Sequence, residues 1–307
     1  MHCFKQKTNY QYYNNSLSAV AIKTDSAIKN SGCRKWVCLI ALLISIFPTE
    51  LLYAQGNLLI TPRRVVFEGP KKIQELNLAN IGKDTARYLL SVVEIRMKED
   101  GSFETITEPD SGQRFASPYL RFFPRSVVLG PNESQLVKVQ LTKTNLLEPG
   151  EYRSHVYFRA VREEKPLGEI EARVDSGSIS VSLIPVFGIT IPIIIRVGDL
   201  KSSTEISDVT FEMKDTLPVV SMTFNRTGNM SVYGNIRLEY LSPEGKVSKV
   251  GQANGVAVYT PNTRRRFSMP LQDYYALDLK KGKLKIRFLS HSDSNPELLD
   301  ETEIILN

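Results

Sequence analysis

The sequence predicts an all-β protein made of two tandem immunoglobulin-like β-sandwiches. Three observations carry that expectation. Short runs of alternating polarity, separated by Gly and Pro turn signals, extend along the chain, and no amphipathic helical pattern exceeds two turns. After Arg196 the composition turns polar over VGDLKSSTEIS, and a second set of strand patterns follows. Short echoes between the halves support a repeated architecture: LNLANIG at Leu76 to Gly82 resembles MTFNRTG at Met222 to Gly228, and VVLGPNESQLVKVQL resembles VAVYTPNTRRRFSMPL.

The first 55 residues stand apart. Arg34 and Lys35 precede the apolar run WVCLIALLISIF, and small residues follow near Ala54 and Gly56, the pattern of a cleaved export signal behind a long polar leader. Its apolar core of about 13 residues is shorter than the roughly 20 a bilayer span requires. Residues 1–55 are therefore read as the signal, 56–198 as the first sandwich, 199–204 as a linker and 205–307 as the second sandwich. The mature protein is expected to be soluble and exported, with no membrane span.

All three cysteines, Cys3, Cys33 and Cys38, fall in the leader, so the mature chain has no disulfide framework. The leader also carries much of the excess basic charge. The whole chain is +6, and without the leader's six basic and two acidic residues the remainder is only +2. Nucleic acid is therefore not an expected partner.

The predicted strands of the first half are NLLITPRRVVFEG, KIQELNLANIG, ARYLLSVVEIRM with the hairpin KEDGS, FFPRSVVLGP, QLVKVQLT and EYRSHVYFRAV, then a long final run. That makes seven strands in about 140 residues, the range of an immunoglobulin-like sandwich. The second half reads as DVTFEMK, PVVSMTFNRTG, YGNIRLEYLSPEG, GVAVYTPNT, RRFSMPL, KGKLKIRFLSH and ETEIILN.

The long run, SISVSLIPVFGITIPIIIR from Ser178 to Arg196, is the most informative segment. Every odd position from Ile179 to Ile195 is apolar, whereas the even face opens with Ser178, Ser180 and Ser182. One extended strand of this length would reach roughly 60 Å, about three times an ordinary strand. Pro185 and Pro192 differ in parity and lack ladder donors on opposite edges. The run thus predicts an edge strand bent near Gly188 and suited to pairing with another chain.

Catalysis finds no support. His155 and His291 lack partners at metal-ligand spacing, and there is no nucleophile elbow, phosphate loop or mature cysteine. No cofactor, metal or enzymatic activity is expected. Glu148 and Glu151 read as residues of a solvated turn, and Tyr119, Phe122 and Phe123 as core and turn residues. Arg264, Arg265 and Arg266 point to alternate faces of a strand, so they cannot form one phosphate-binding fork. Arg64 precedes Val65, Val66 and Phe67 in the first mature strand, where it could meet a carboxylate or form a surface ion pair.

The segments ITPRRVVFEG, ELNLANIGKDTARYLLSVVE, FFPRSVVLGPNESQLVKVQL and SISVSL occur in an order that resembles the PapD-like periplasmic chaperones of pilus assembly. The resemblance covers most of Asn57 to Arg196, and the second sandwich is similar in type only. It implies a boomerang of two sandwiches that stabilises an exported pilin-like or other β-rich subunit by lending it an edge strand, before an outer-membrane usher takes the subunit. Ile179, Val181 and Leu183 would fill the subunit's pockets, and Arg64 would hold its terminal carboxylate. The family's second cation, a Lys, is absent here: Gly188 or Thr190 stands at the aligned position. The free edge also predicts pairing with a second copy of the chain. A second reading, a structural or adhesive sandwich protein of the cell surface, makes the run an ordinary core strand. A third, a sandwich hydrolase or carbohydrate binder, would need a polar cluster that the sequence does not assemble.

Overall fold

The computed structural model describes residues 58–161, 188–292 and 295–306. The leader and the proposed lent strand, with Ile179, Val181 and Leu183, lie outside the described residues. Each predicted run that falls on described residues contains a strand, but two of the runs are divided at prolines. NLLITPRRVVFEG becomes β1 (Leu58–Thr61) and β2 (Val65–Phe67), on either side of Pro62. FFPRSVVLGP becomes β7 (Leu120–Phe123) and β8 (Ser126–Leu129), on either side of Pro124. In both cases the chain changes sheet at the proline, which has no N–H to continue the ladder. ARYLLSVVEIRM is likewise divided into β4 (Ala86–Val93) and β5 (Ile95–Met97), and β5 forms a separate ribbon with β6 (Phe103–Thr105).

One sheet of the first sandwich contains β1, β3 (Ile73–Asn80), β9 (Ser134–Leu141) and β7, in that order. The facing sheet runs β2, β11 (Gly188–Val197), β10 (Gly150–Val161), β4, β8. Alternate residues of both sheets meet in one core: Leu76, Leu78, Val137 and Val139 from the first, Phe67, Val156, Phe158 and Ile193 from the second. Burying each such side chain contributes about 1.5–3 kcal/mol.

The second sandwich packs β12 (Ser202–Lys214), β13 (Leu217–Gly228) and β16 (Arg264–Pro270) against a sheet ordered β15 (Val247–Val258), β14 (Val232–Leu241), β17 (Lys283–Ser290), β18 (Leu298–Ile305). Val220, Phe224, Ile236, Leu238, Ile286 and Phe288 are at its centre. Three strands start at least three residues earlier than the sequence pattern suggests, among them β18, which begins at Leu298 instead of Glu301. β15 takes in the polar stretch before Gly255, which pairs with β14 across two register shifts. β12 begins at Ser202, inside the expected linker at 199–204, because Ser202 and Ser203 pair with Gly228 and Thr227. Both sandwiches belong to one compact unit, Gln55–Asn307.

β11 is a strand of two characters. Over its whole length it pairs antiparallel with β10. Its other side pairs with β2, in parallel, only at Ile193–Ile195. From Gly188 to Pro192 that side has no partner among the described residues, so the expected edge strand is an edge only in its first half. Both faces of the second half are apolar because both are covered. Ile191, Ile193 and Ile195 enter the core of the first sandwich, while Ile194 packs with Met97, Ala257 and Tyr259 in a small core shared with the second.

Candidate functional site

β10 builds the junction between the sandwiches by simple alternation. Tyr152, Val156 and Phe158 face the first core. The odd positions Glu151, Arg153 and His155 face the other way and are nevertheless buried, at 5%, 3% and 3% exposure. Glu151 corrects the expectation of a solvated turn. Its carboxylate accepts from Ser231 N at 3.1 Å, from the Ser231 hydroxyl, from Thr260 Oγ1 at 3.1 Å and from Arg196 Nε at 3.2 Å. An ionised acceptor taken out of water needs this many donors, and the second sandwich supplies most of them.

The β5–β6 ribbon forms a second tie. Asn262 Nδ2 donates to Met97 O at 2.7 Å, and Arg266 N donates to Glu99 O at 2.6 Å. Gly101 sits at the ribbon tip with φ +83, where a Cβ would lie 2.6 Å from Arg265 Nη2. The left-handed backbone favours glycine, and a Cβ would push the Arg265 guanidinium aside. The three arginines of β16 point alternately, as the strand pattern requires. Arg265 turns inward to the Ala257 carbonyl, while Arg264 pairs with Asp208 and Arg266 with Glu99.

Beside these ties a cleft of about 620 Å³ opens between the sandwiches. One wall is the turn into β2, with Pro62, Arg63, Arg64 and Val66; the other includes Met230, Tyr233, Leu298 and Leu299. Val65 and Phe67 are pinned in the first core, which fixes the entry of β2 and so the position of Arg64. The half-buried Arg64 guanidinium lies over the Tyr233 ring, 4.3 Å from its centroid, and its Nη1 donates to the Tyr259 hydroxyl at 3.3 Å. Stacking on two rings orders the guanidinium without neutralising it. Among the described residues neither Arg63 nor Arg64 has an acidic partner within ion-pair distance, whereas the third cleft arginine, Arg196, pairs with Glu68 and Glu151.

More positive charge stands behind Arg64. Arg153 packs on the Tyr259 ring at 4.4 Å, and its Nε and Nη1 have no hydrogen-bond partner among the described residues. His155 meets Phe103 and Tyr259 edge-on, and its Nδ1 is also unpaired there. Burial first, and then the charges of Arg153 and Arg64, push the His155 imidazole down to about 3, so the ring is neutral at physiological pH. The nearby Glu94 accepts from Ser154 Oγ at 2.8 Å, and burial pushes its carboxyl up from the ordinary carboxylate range. Arg63 and Arg64, without acidic partners among the described residues, thus leave the cleft with unpaired positive charge suited to an anion.

Of the residues singled out from sequence, the structure places Arg64 in this cleft; the three aliphatics of the lent strand fall outside the described residues. Gly188, at one of the two aligned positions of the absent Lys, lies under Tyr157: a Cβ there would overlap the ring, so any side chain would displace it. Thr190, at the other, is exposed and pairs with Tyr157. Tyr119 and Phe122 pack against the first core as expected, but Phe123 is 77% exposed. Arg153, His155 and Glu151 were hidden in sequence, since alternation gives a residue's face but not whether another domain covers it. Among the described residues no group of three or more His, Cys, Asp or Glu is placed to hold a metal ion.

No family model and no curated protein sequence matches the chain. Among solved structures it is similar to several chaperones. One is from the CsuC–CsuE chaperone–tip adhesion subunit pre-assembly complex of the archaic chaperone-usher Csu pili of Acinetobacter baumannii, at 14% identity and a TM-score of 0.43, covering 80% of this chain and 97% of that one. Another is the YadV chaperone, at 14% identity and 0.40, covering 81% and 100%. A third is the CupB2 chaperone of Pseudomonas aeruginosa, at 13% identity and 0.39, covering 81% and 100%.

Proposed function

We propose that this protein is a periplasmic chaperone that lends a β-strand to an exported β-rich subunit and holds it until assembly. The observation that carries the reading is the half-open β11. Its Gly188–Pro192 stretch presents an unpartnered ladder edge among the described residues, and the alternating run SISVSL lies directly upstream. An unpaired edge is ordinarily suppressed, and one backed by a complete sheet is the geometry to which an extended segment of another chain adds. Continued with the same alternation, Ile179, Val181 and Leu183 would share the parity of the core-facing Ile191, Ile193 and Ile195. Inserting three aliphatic side chains into a partner contributes on the order of 5–8 kcal/mol before ordering costs.

Arg64, ordered by two aromatic rings and without an acidic partner among the described residues, is the proposed anchor for the subunit's terminal carboxylate. With no Lys at 188 or 190, the long-range charge of Arg153 supports Arg64 from behind. Exported by its cleaved signal, the protein works in the periplasm, and its reaction is binding alone, with no catalysis and no cofactor.

The test is capture of the client in the native host by tagged protein. Wild type should co-purify with a β-rich exported partner, and the variant carrying Ile179→Ser, Val181→Ser and Leu183→Ser should melt like wild type yet capture none. Undiminished capture by the folded triple variant would sink the proposal. The structural or adhesive reading makes a different prediction under cell fractionation: the protein itself would stay at the surface instead of in the periplasm.

A further inference from the structure

We infer that the inter-sandwich cleft reads the last side chain of the client and selects an apolar one, through a shelf supplied mainly by the second sandwich. This rests on the chaperone reading above and deepens it. Three features of the cleft carry the inference. First, Leu298 opens β18 at 54% exposure, while Leu299 and Met230 beside it are only partly buried. Second, these three and the half-buried Val66 line the same cleft as Arg63 and Arg64. Third, the two arginines lack acidic partners among the described residues, whereas Arg196 in the same cleft has two.

Exposed aliphatic surface facing unpaired cations fits a ligand that joins an anion to an apolar group within a few bonds. A polypeptide carboxyl terminus ending in a large apolar residue is such a ligand: the carboxylate takes the guanidinium, and the terminal side chain covers Leu298, Leu299 and Met230. A free phosphate or an acidic side chain would satisfy the arginines and leave the shelf in water. Each sandwich supplies one half of the recognition, so the buried Glu151 tie that joins them also sets the spacing between anchor and shelf.

Fluorescence anisotropy with the full mature chain and labelled octapeptides tests this. The peptides are identical except at the end: Phe free acid, Phe amide and Ser free acid. The Phe acid should bind tightest, with the Ser acid about 10-fold weaker, the discrimination an apolar pocket gives for a lost large side chain. The amide should be about 10-fold weaker or more, from loss of a charge-assisted contact. Leu298→Ser, at an exposed position that leaves the fold intact, should narrow the Phe/Ser difference several-fold and keep the acid/amide difference; Leu299→Ser should do the same. Arg64→Ala should show the reverse pattern.

Equal binding of Phe and Ser acids by wild type, binding of neither, or a Phe preference that survives both leucine changes overturns the inference. So does complete displacement of the Phe acid by millimolar phosphate with no end-residue preference, the mark of a plain anion site. A flat peptide ranking alongside client capture that fails in the 179/181/183 variant would overturn this inference alone. The expected ranking alongside undiminished capture by that variant would overturn strand lending alone.

Discussion

The odd-numbered face of β10 concentrates the molecule's least comfortable residues. His155 is held neutral by burial next to Arg153 and Arg64, with its folded pKa about 3 against an ordinary 6.5. Above pH 6.5 the ring is neutral in folded and unfolded chains alike. Between about 6.5 and 3 the unfolded chain takes up a proton that the folded chain refuses, so stability falls as pH falls, on the order of 1 kcal/mol per pH unit from this group. Glu94, whose carboxyl is pushed up by burial, acts in the opposite sense at pH values above its ordinary 4.5. Urea midpoints measured at neutral pH and at two mildly acidic values should decline for wild type and decline less for His155→Phe, which keeps the ring contacts without the titration. Parallel declines would show that His155 is not the group responsible.

Glu151 makes the complementary prediction. Removing a buried carboxylate strands its donors and leaves Arg196 only the exposed Glu68, so Glu151→Ala should cost about 3 kcal/mol in urea unfolding at neutral pH. A loss under about 1 kcal/mol would mean that water replaces the carboxylate at little cost. Neither residue's role was legible in the sequence. Glu151 follows the turn Glu148-Pro149-Gly150, which looks like any solvated turn, and His155 looks like any lone strand histidine. What covers them comes from the second sandwich: Ser231 and Thr260 over Glu151, Tyr259 over His155.

At the scale of elements, the sequence pattern located nearly every strand, because period-two alternation and Gly/Pro punctuation survive folding unchanged. It did not show that Pro62 and Pro124 send the chain from one sheet to the other, since a broken ladder reads the same whether the next strand stays or crosses. Nor did it show how β11 divides its edge. The unbroken apolar stretch at Ile193–Ile195 signalled burial on both faces, but only the parallel partner β2 explains where the free edge ends. The β5–β6 ribbon was legible as a hairpin from KEDGS, yet its docking on the second sandwich was not. Gly101→Val should strain the left-handed turn and collide with Arg265, costing about 1–3 kcal/mol and loosening the ribbon. Hydrogen exchange at Lys98 and Gly101, whose amides donate across the turn to Ser102 and Lys98, should accelerate in that variant; unchanged protection would show the ribbon is held by other contacts.

At the scale of the molecule, the two sandwiches share a small apolar core, a buried carboxylate and a docked ribbon. Such coupling predicts that the mature chain unfolds in one cooperative transition. Glu151→Ala combined with Asn262→Ala should separate it into two, visible by calorimetry, and two transitions in the wild type would contradict the coupling. The junction matters for the proposed activity, because the proposed lent strand would continue β11 of the first sandwich while the cleft needs both.

The central claim is that the edge of β11 and the run upstream of it become a shared strand in the client complex. Hydrogen–deuterium exchange of the mature chain, alone and with its captured client, tests it most directly. The account predicts that amides of 179–183 and Gly188–Ile191 gain strong protection in the complex while β8, at the opposite edge of the same sheet, stays unchanged. Client binding with unaltered exchange across both stretches would contradict it.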